Sequence, residues 1–97
     1  MRKVDLHNLK WEFARAAIHC AVEDAAMDIA RCNEKGGIEF ITGKGIGIIN
    51  DLCRTALFRE LGIKPATTRQ VLWTPATNVR VDEKELLYYT EKHFSLL

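Results

Sequence analysis

Apolar and polar positions alternate from Arg2 to His7, with Val4 and Leu6 on one side and Lys3, Asp5 and His7 on the other. That is the period of a strand. Asn8 follows, a residue that tolerates a left-handed backbone and so suits a sharp exit. From Trp11 to about Asn33 the period changes. Ala14, Ala17, Ile18, Ala21, Val22, Ala25 and Ile29 recur at three- and four-residue steps, which predicts a long helix. Lys10 is a poor cap for its start, whereas Asn33 before Lys35-Gly36-Gly37 is a clear stop. Ile38 to Thr42 reads as a second strand and Gly43 to Gly47 as a glycine-rich turn. A second helix is expected over roughly Ile48 to Leu61, with Ile49, Leu52, Cys53, Ala56 and Leu57 as its buried stripe and Gly62 and Pro65 as its stop. Arg69–Trp73 and Thr77–Val81 read as a hairpin around Thr74-Pro75-Ala76. Asp82 and Glu85 form a capping-box pattern before a last helix, Glu83 to Phe94, which Lys92 and His93 close.

The expected order is therefore β-α-β-α-β-β-α. Two strand–helix–strand crossovers in succession imply right-handed connections and a mixed, mostly parallel four-stranded sheet. The fold class is α/β: a single-domain sandwich over residues 1–97, with a core at about 3–81 and an added C-terminal helix in 82–97. A chain of 97 residues suits one domain.

Composition narrows this only a little. Hydrophobic residues make up 47% and charged residues 28%, as in an ordinary globular protein. No apolar run is long enough to span a membrane, and Met1-Arg2-Lys3 leads into the first strand without a signal-peptide pattern. Cys20, Cys32 and Cys53 are odd in number and show no C-x-x-C spacing, so neither a disulfide framework nor a zinc site is indicated. These features predict an intracellular setting, cytoplasmic or organellar, with no membrane partner. The net charge of +1 hides an asymmetry. Residues 35–80 hold seven Lys/Arg against three acids, or +4, while the two ends are slightly acidic. A basic middle is compatible with an anionic partner, and equally with an ordinary solvated surface.

Two motifs carry chemistry. In Val4-Asp5-Leu6-His7, a strand sets the Asp5 carboxylate and the His7 imidazole side by side while Leu6 enters the core. Such a pair can orient a histidine tautomer, relay a proton or hold a divalent ion such as magnesium. It can also be a hydrogen-bonded strand end with no catalytic role. In Thr42-Gly43-Lys44-Gly45-Ile46-Gly47, between a strand and a helix, glycines let backbone N–H groups converge, and Lys44 and the helix N-terminus add positive charge. That suits a phosphate, although a tight turn without ligand would use the same residues. The loop matches neither the G-x-x-x-x-G-K-[ST] nor the G-x-G-x-x-G phosphate motif. Both motifs close strands, and ligands of parallel α/β sheets gather at the carboxyl ends of strands. Arg54 and Phe58, one helical turn apart, could line a groove leading from the loop. His19 and His93 read as structural or surface residues, Trp11 and Trp73 as core side chains before base-stacking ones, and the cysteines as small buried hydrophobes.

With Val4-Asp5-Leu6-His7 at one strand end and Thr42-Gly43-Lys44-Gly45 one helix later, the chain resembles the Smr (small MutS-related) domain over about residues 3–81. Asn8 stands where that family usually has glycine, and the stretch around Thr74 to Thr77 is shorter and less glycine-rich than in many members. The resemblance implies a fold similar to the C-terminal domain of translation initiation factor three and a nucleic-acid-binding module, in many members an endonuclease on DNA or RNA. It implicates Asp5 and His7 in cleavage and Thr42 to Gly45 in substrate contact. Gly47 and Arg54 would extend that contact. It also implies occurrence alone, at the end of MutS-like proteins, or fused to RNA-binding helical repeats. Three functions are thus open: an endonuclease cleaving RNA or DNA, a non-catalytic nucleic-acid- or ribosome-binding module using the same loop and basic surface, and a mononucleotide-binding domain.

Overall fold

The computed structural model describes residues 2–32, 36–43, 48–68 and 78–94. Strand β1 (Arg2–Asp5) leads to helix α1 (Trp11–Cys32), strand β2 (Ile38–Ile41) to helix α2 (Ile48–Thr55), and strands β3 (Ala66–Thr68) and β4 (Asn78–Val81) to helix α3 (Glu83–His93). Helix α2 runs on through a wider, π-helical turn, Ala56–Glu60. Gly62, at φ 68°, ends it: Ile63 N–H reaches back to Leu57 O and Gly62 N–H to Phe58 O. A left-handed glycine just past the last helical residue lets the chain satisfy carbonyls that the helix leaves over. No helix among the described residues is long and apolar enough to cross a membrane.

The sheet is mixed. β1 and β2 pair in parallel, with Arg2 opposite Ile38 and Asp5 opposite Ile41. β4 lies antiparallel against the other side of β2, and the three residues of β3 pair antiparallel with β4 at the far edge. The sheet is mixed as expected, with β1, β2 and β3 running one way and β4 alone opposed, but β4 sits between β2 and β3, so only one neighbouring pair is parallel. The reason lies in β4. Its alternation places Val79 and Val81, both fully buried, on the core side. Ala66-Thr67-Thr68 is shorter and less apolar, so it takes the edge and leaves the central place to β4. The strand expected at Arg69–Trp73 and the turn at Thr74–Ala76 lie outside the described residues.

One cluster joins the inward side chains of the sheet (Ile38, Phe40, Val79, Val81) to those of all three helices (Ala14, Ile18, Val22 and Ala25; Cys53 and Leu57; Leu86 and Tyr89). The alanines of α1 let that helix lie close to the strands. By strand alternation, Lys3, Asp5, Glu39 and Arg80 occupy the opposite face, where Lys3 stands across from Glu39 and Glu39 from Arg80. Arg2 and Asp28 form an ion pair that fastens β1 to α1. The capping box expected at the start of α3 does not form. Asp82 has the extended backbone of an N-cap but makes no capping bond. Its carboxylate lies 3.3 Å from Arg80 Nε, and the Glu85 carboxylate accepts from Lys64 N–H at 2.9 Å. Asp82 has turned to a neighbour two residues back, and Glu85 to a partner 21 residues away.

Candidate functional site

β1 ends in a tight turn that builds half of the site. Leu6 N–H donates to Ile41 O at 2.8 Å, which carries the β1–β2 pairing one residue past the strand and draws Leu6 fully into the core. Leu9 N–H then donates to Leu6 O, closing a four-residue turn with Asn8 third at φ 67°. That left-handed position is the one a type II turn requires and asparagine tolerates. The buried leucine and the turn together force His7 outward.

Asp5 and His7 stand side by side, as the alternation predicts. Asp5 Oδ1 accepts from the His7 backbone N–H at 3.0 Å and lies 2.5 Å from His7 Nδ1. These bonds, the side-chain one first, hold the Asp5 carboxyl below its ordinary range, so it is an anion near neutral pH. An anion can only accept, so Nδ1 carries the hydrogen and the lone pair of the neutral imidazole sits on Nε2, directed away from Asp5. The side chains of His7 and Asp5 are 51% and 53% exposed, so a solute can reach that lone pair.

The second half of the site comes from β2. Because Asp5 is in register with Ile41, two further steps bring His7 beside Gly43. Gly43 has φ 80°, and a methyl group there would lie 2.7 Å from His7 Cβ. Backbone conformation and space both demand glycine at this position. The two motifs, 35 residues apart from His7 to Thr42 in the chain, thus meet at one end of two parallel neighbours.

Thr42 is buried, and Asn50 Nδ2 donates to its Oγ1 at 3.2 Å. Asn50 Oδ1 accepts from Arg54 Nε at 2.8 Å, and Arg54 is further paired with Asp51. The structure therefore links Arg54 to the base of the loop. Lys44, Gly45 and Gly47 lie outside the described residues. Among the described residues no group of three or more His, Cys, Asp and Glu could hold a metal ion. Asp5 and His7 are two donors already bonded to each other. They do not by themselves fit a protein-held divalent ion.

Sequence reasoning missed Asn50 and Glu60. Asn50 left a signal, a polar residue within the apolar segment of α2 one turn before Arg54. Glu60 left none, because its partners Arg15 and His19 are 45 and 41 residues away. Comparison of the chain with family models, curated proteins and solved structures gives no match in any of the three.

Proposed function

We propose that this domain binds nucleic acid and cleaves it as an endonuclease, with His7 as general base. The observation that supports the reading most is the Asp5-oriented, solvent-reached imidazole resting against Gly43 at the end of two parallel strands. His7 Nε2 takes the proton of the attacking hydroxyl while its oxygen bonds to phosphorus. Asp5 keeps the tautomer and stabilises the imidazolium that forms. The bond to the leaving oxygen then breaks, and the imidazolium gives up its proton to that oxygen. Backbone N–H groups of the segment from Gly43 onward, Lys44 and Arg54 would hold the phosphate and offset its developing charge. This reading agrees with the resemblance to the Smr domain.

A second reading is a binding module without catalysis, and one observation favours it. Asp5 Oδ1 also accepts the His7 backbone N–H, so the pair would form for the sake of the turn alone. One experiment separates the two. Labelled single-stranded, double-stranded and branched RNA and DNA are incubated with wild type and with an Asp5→Asn/His7→Ala double variant, with and without magnesium. Cleavage by wild type and none by the variant supports the nuclease. Equal, salt-sensitive binding with no cleavage by either supports the module. A domain that neither binds nor cleaves any of these polymers, yet shows a saturable thermal shift with a mononucleotide, refutes both.

A further inference from the structure

Building on the phosphodiester reading, we propose that Asn50 is the positioning residue of this site, a buried brace that fixes the Arg54 guanidinium relative to His7. Asn50 is 7% exposed, on a helix whose neighbouring Cys53 and Leu57 are wholly buried. A primary amide is costly in such surroundings unless both of its ends are bonded. Here they are. Arg Nε can only donate, so Oδ1 must face Arg54 and Nδ2 must face the Thr42 hydroxyl, as observed. Of side chains this size, asparagine alone offers an acceptor to one neighbour and an N–H to the other. Leucine offers neither, and an ionised aspartate has no N–H.

The contacts then run on without a break. Thr42 is followed directly by Gly43, whose backbone lies against His7 Cβ. Arg54, Asn50, Thr42, Gly43 and His7 form one line from a phosphate-binding cation to the general base. Asn50 touches no substrate in this scheme. It sets the distance between the group that grips the phosphate and the group that takes the proton, and small misplacements of that kind are costly to the rate.

The test uses Asn50→Leu, Arg54→Ala and their double variant, on the labelled oligonucleotide that wild type cleaves best. Asn50→Leu is expected to lower kcat by roughly tenfold or more, with KM changed less. The double variant is expected within about twofold of the worse single one, because both remove the same brace. Fully additive losses overturn the proposal. Should Asn50→Leu fail to fold by circular dichroism, Asn50→Asp replaces it, keeping the acceptor for Arg54 and losing the donor to Thr42. A readout independent of substrate is the NMR signal of Arg54 Nε–H together with the Gly43 amide. Both should shift in the Asn50 variant, and two unmoved signals overturn the brace even if activity falls. Shifted signals in a protein whose wild type neither binds nor cleaves any oligonucleotide refute the functional reading and leave the brace standing.

Discussion

Among the described residues there are two imidazole–carboxylate pairs, and they are built in opposite ways. His7 and Asp5 are two residues apart at a strand end, with about half of each side chain open to solvent. His19 and Glu60 are 41 residues apart. Glu60 Oε1 lies 2.7 Å from His19 Nε2 and accepts from Arg15 Nε at 2.8 Å, so one carboxylate clips the π-helical turn after α2 onto α1. His19 engages its carboxylate through Nε2 and answers to a shared one, whereas His7 engages through Nδ1 and presents Nε2 outward. The first pair costs the fold nothing to assemble beyond a turn, and it leaves a nitrogen for chemistry. The second holds two helices together. Proximity of an acid and an imidazole therefore does not define a site; what surrounds the second nitrogen does.

The largest expected effect follows directly. His7→Ala should lower cleavage by roughly 10²–10⁴-fold while the melting temperature hardly moves. His19→Ala should leave cleavage within about twofold and lower the melting temperature. Kinetics and thermal melts on both variants decide it, and a reversed pattern would exchange the roles of the two pairs.

Cys53 extends the contrast to a group that is truly buried. Burial pushes its thiol up to about 12 from 9.0, against a small opposing effect of Arg54. A raised value in the folded state means that the thiol's contribution to stability is complete below pH 9 and is lost as pH rises toward 12. Site-resolved alkylation at pH 8 should label exposed Cys20 at once and Cys53 only at the rate of unfolding. Rapid labelling of Cys53 in folded protein would show that α2 opens locally.

What was legible beforehand follows the same division between local and distant. The strand at Arg2–Asp5, the three helices and the outward Asp5–His7 pair rest on periods and neighbours within a few residues, and the chain displays those openly. The left-handed Asn8 could likewise be inferred from residue type. The order of the sheet could not. That β4 would part β2 from β3 depends on which segment offers the better buried face, a competition settled in three dimensions. The capping box failed for a related reason on one side only: Lys64, 21 residues away, takes the Glu85 carboxylate, whereas Asp82 pairs with Arg80 just two residues before it. The meeting of Gly43 with His7 lies between these cases. Sequence could place each motif at a strand end, but only the parallel β1–β2 register brings them together.

A third measurement asks whether the clip is structural. Glu60→Ala should lower the melting temperature, and adding Arg15→Ala to it should lower it by less than Arg15→Ala does alone, because the partner has already gone. Cleavage should be unaffected in both. Additive losses would mean that Arg15 contributes through its packing on α1 and not through Glu60.

The smallest effect is the most discriminating, and it concerns acid. The His19 hydrogen bond first, then Arg15, holds the Glu60 carboxyl below its ordinary range, as His7 holds that of Asp5. Both shifts are downward, so both carboxylates contribute stability above their unfolded values near 4 and lose it as pH falls through the lower folded ones. Both are solvent-screened, so each contribution is modest. They should differ nonetheless, because linkage counts only what the unfolded chain lacks. Asp5 and His7 are close enough in sequence to find each other in the denatured ensemble, which erases part of the difference. Glu60 meets His19 and Arg15 only in the fold. Urea unfolding at pH 6 and pH 3 should therefore show a shallower acid loss in Glu60→Gln than in Asp5→Asn, relative to wild type. If Asp5→Asn flattens the profile as much or more, the strand-end pair is itself a product of folding, and the division between a local site and a distant clip fails at its base.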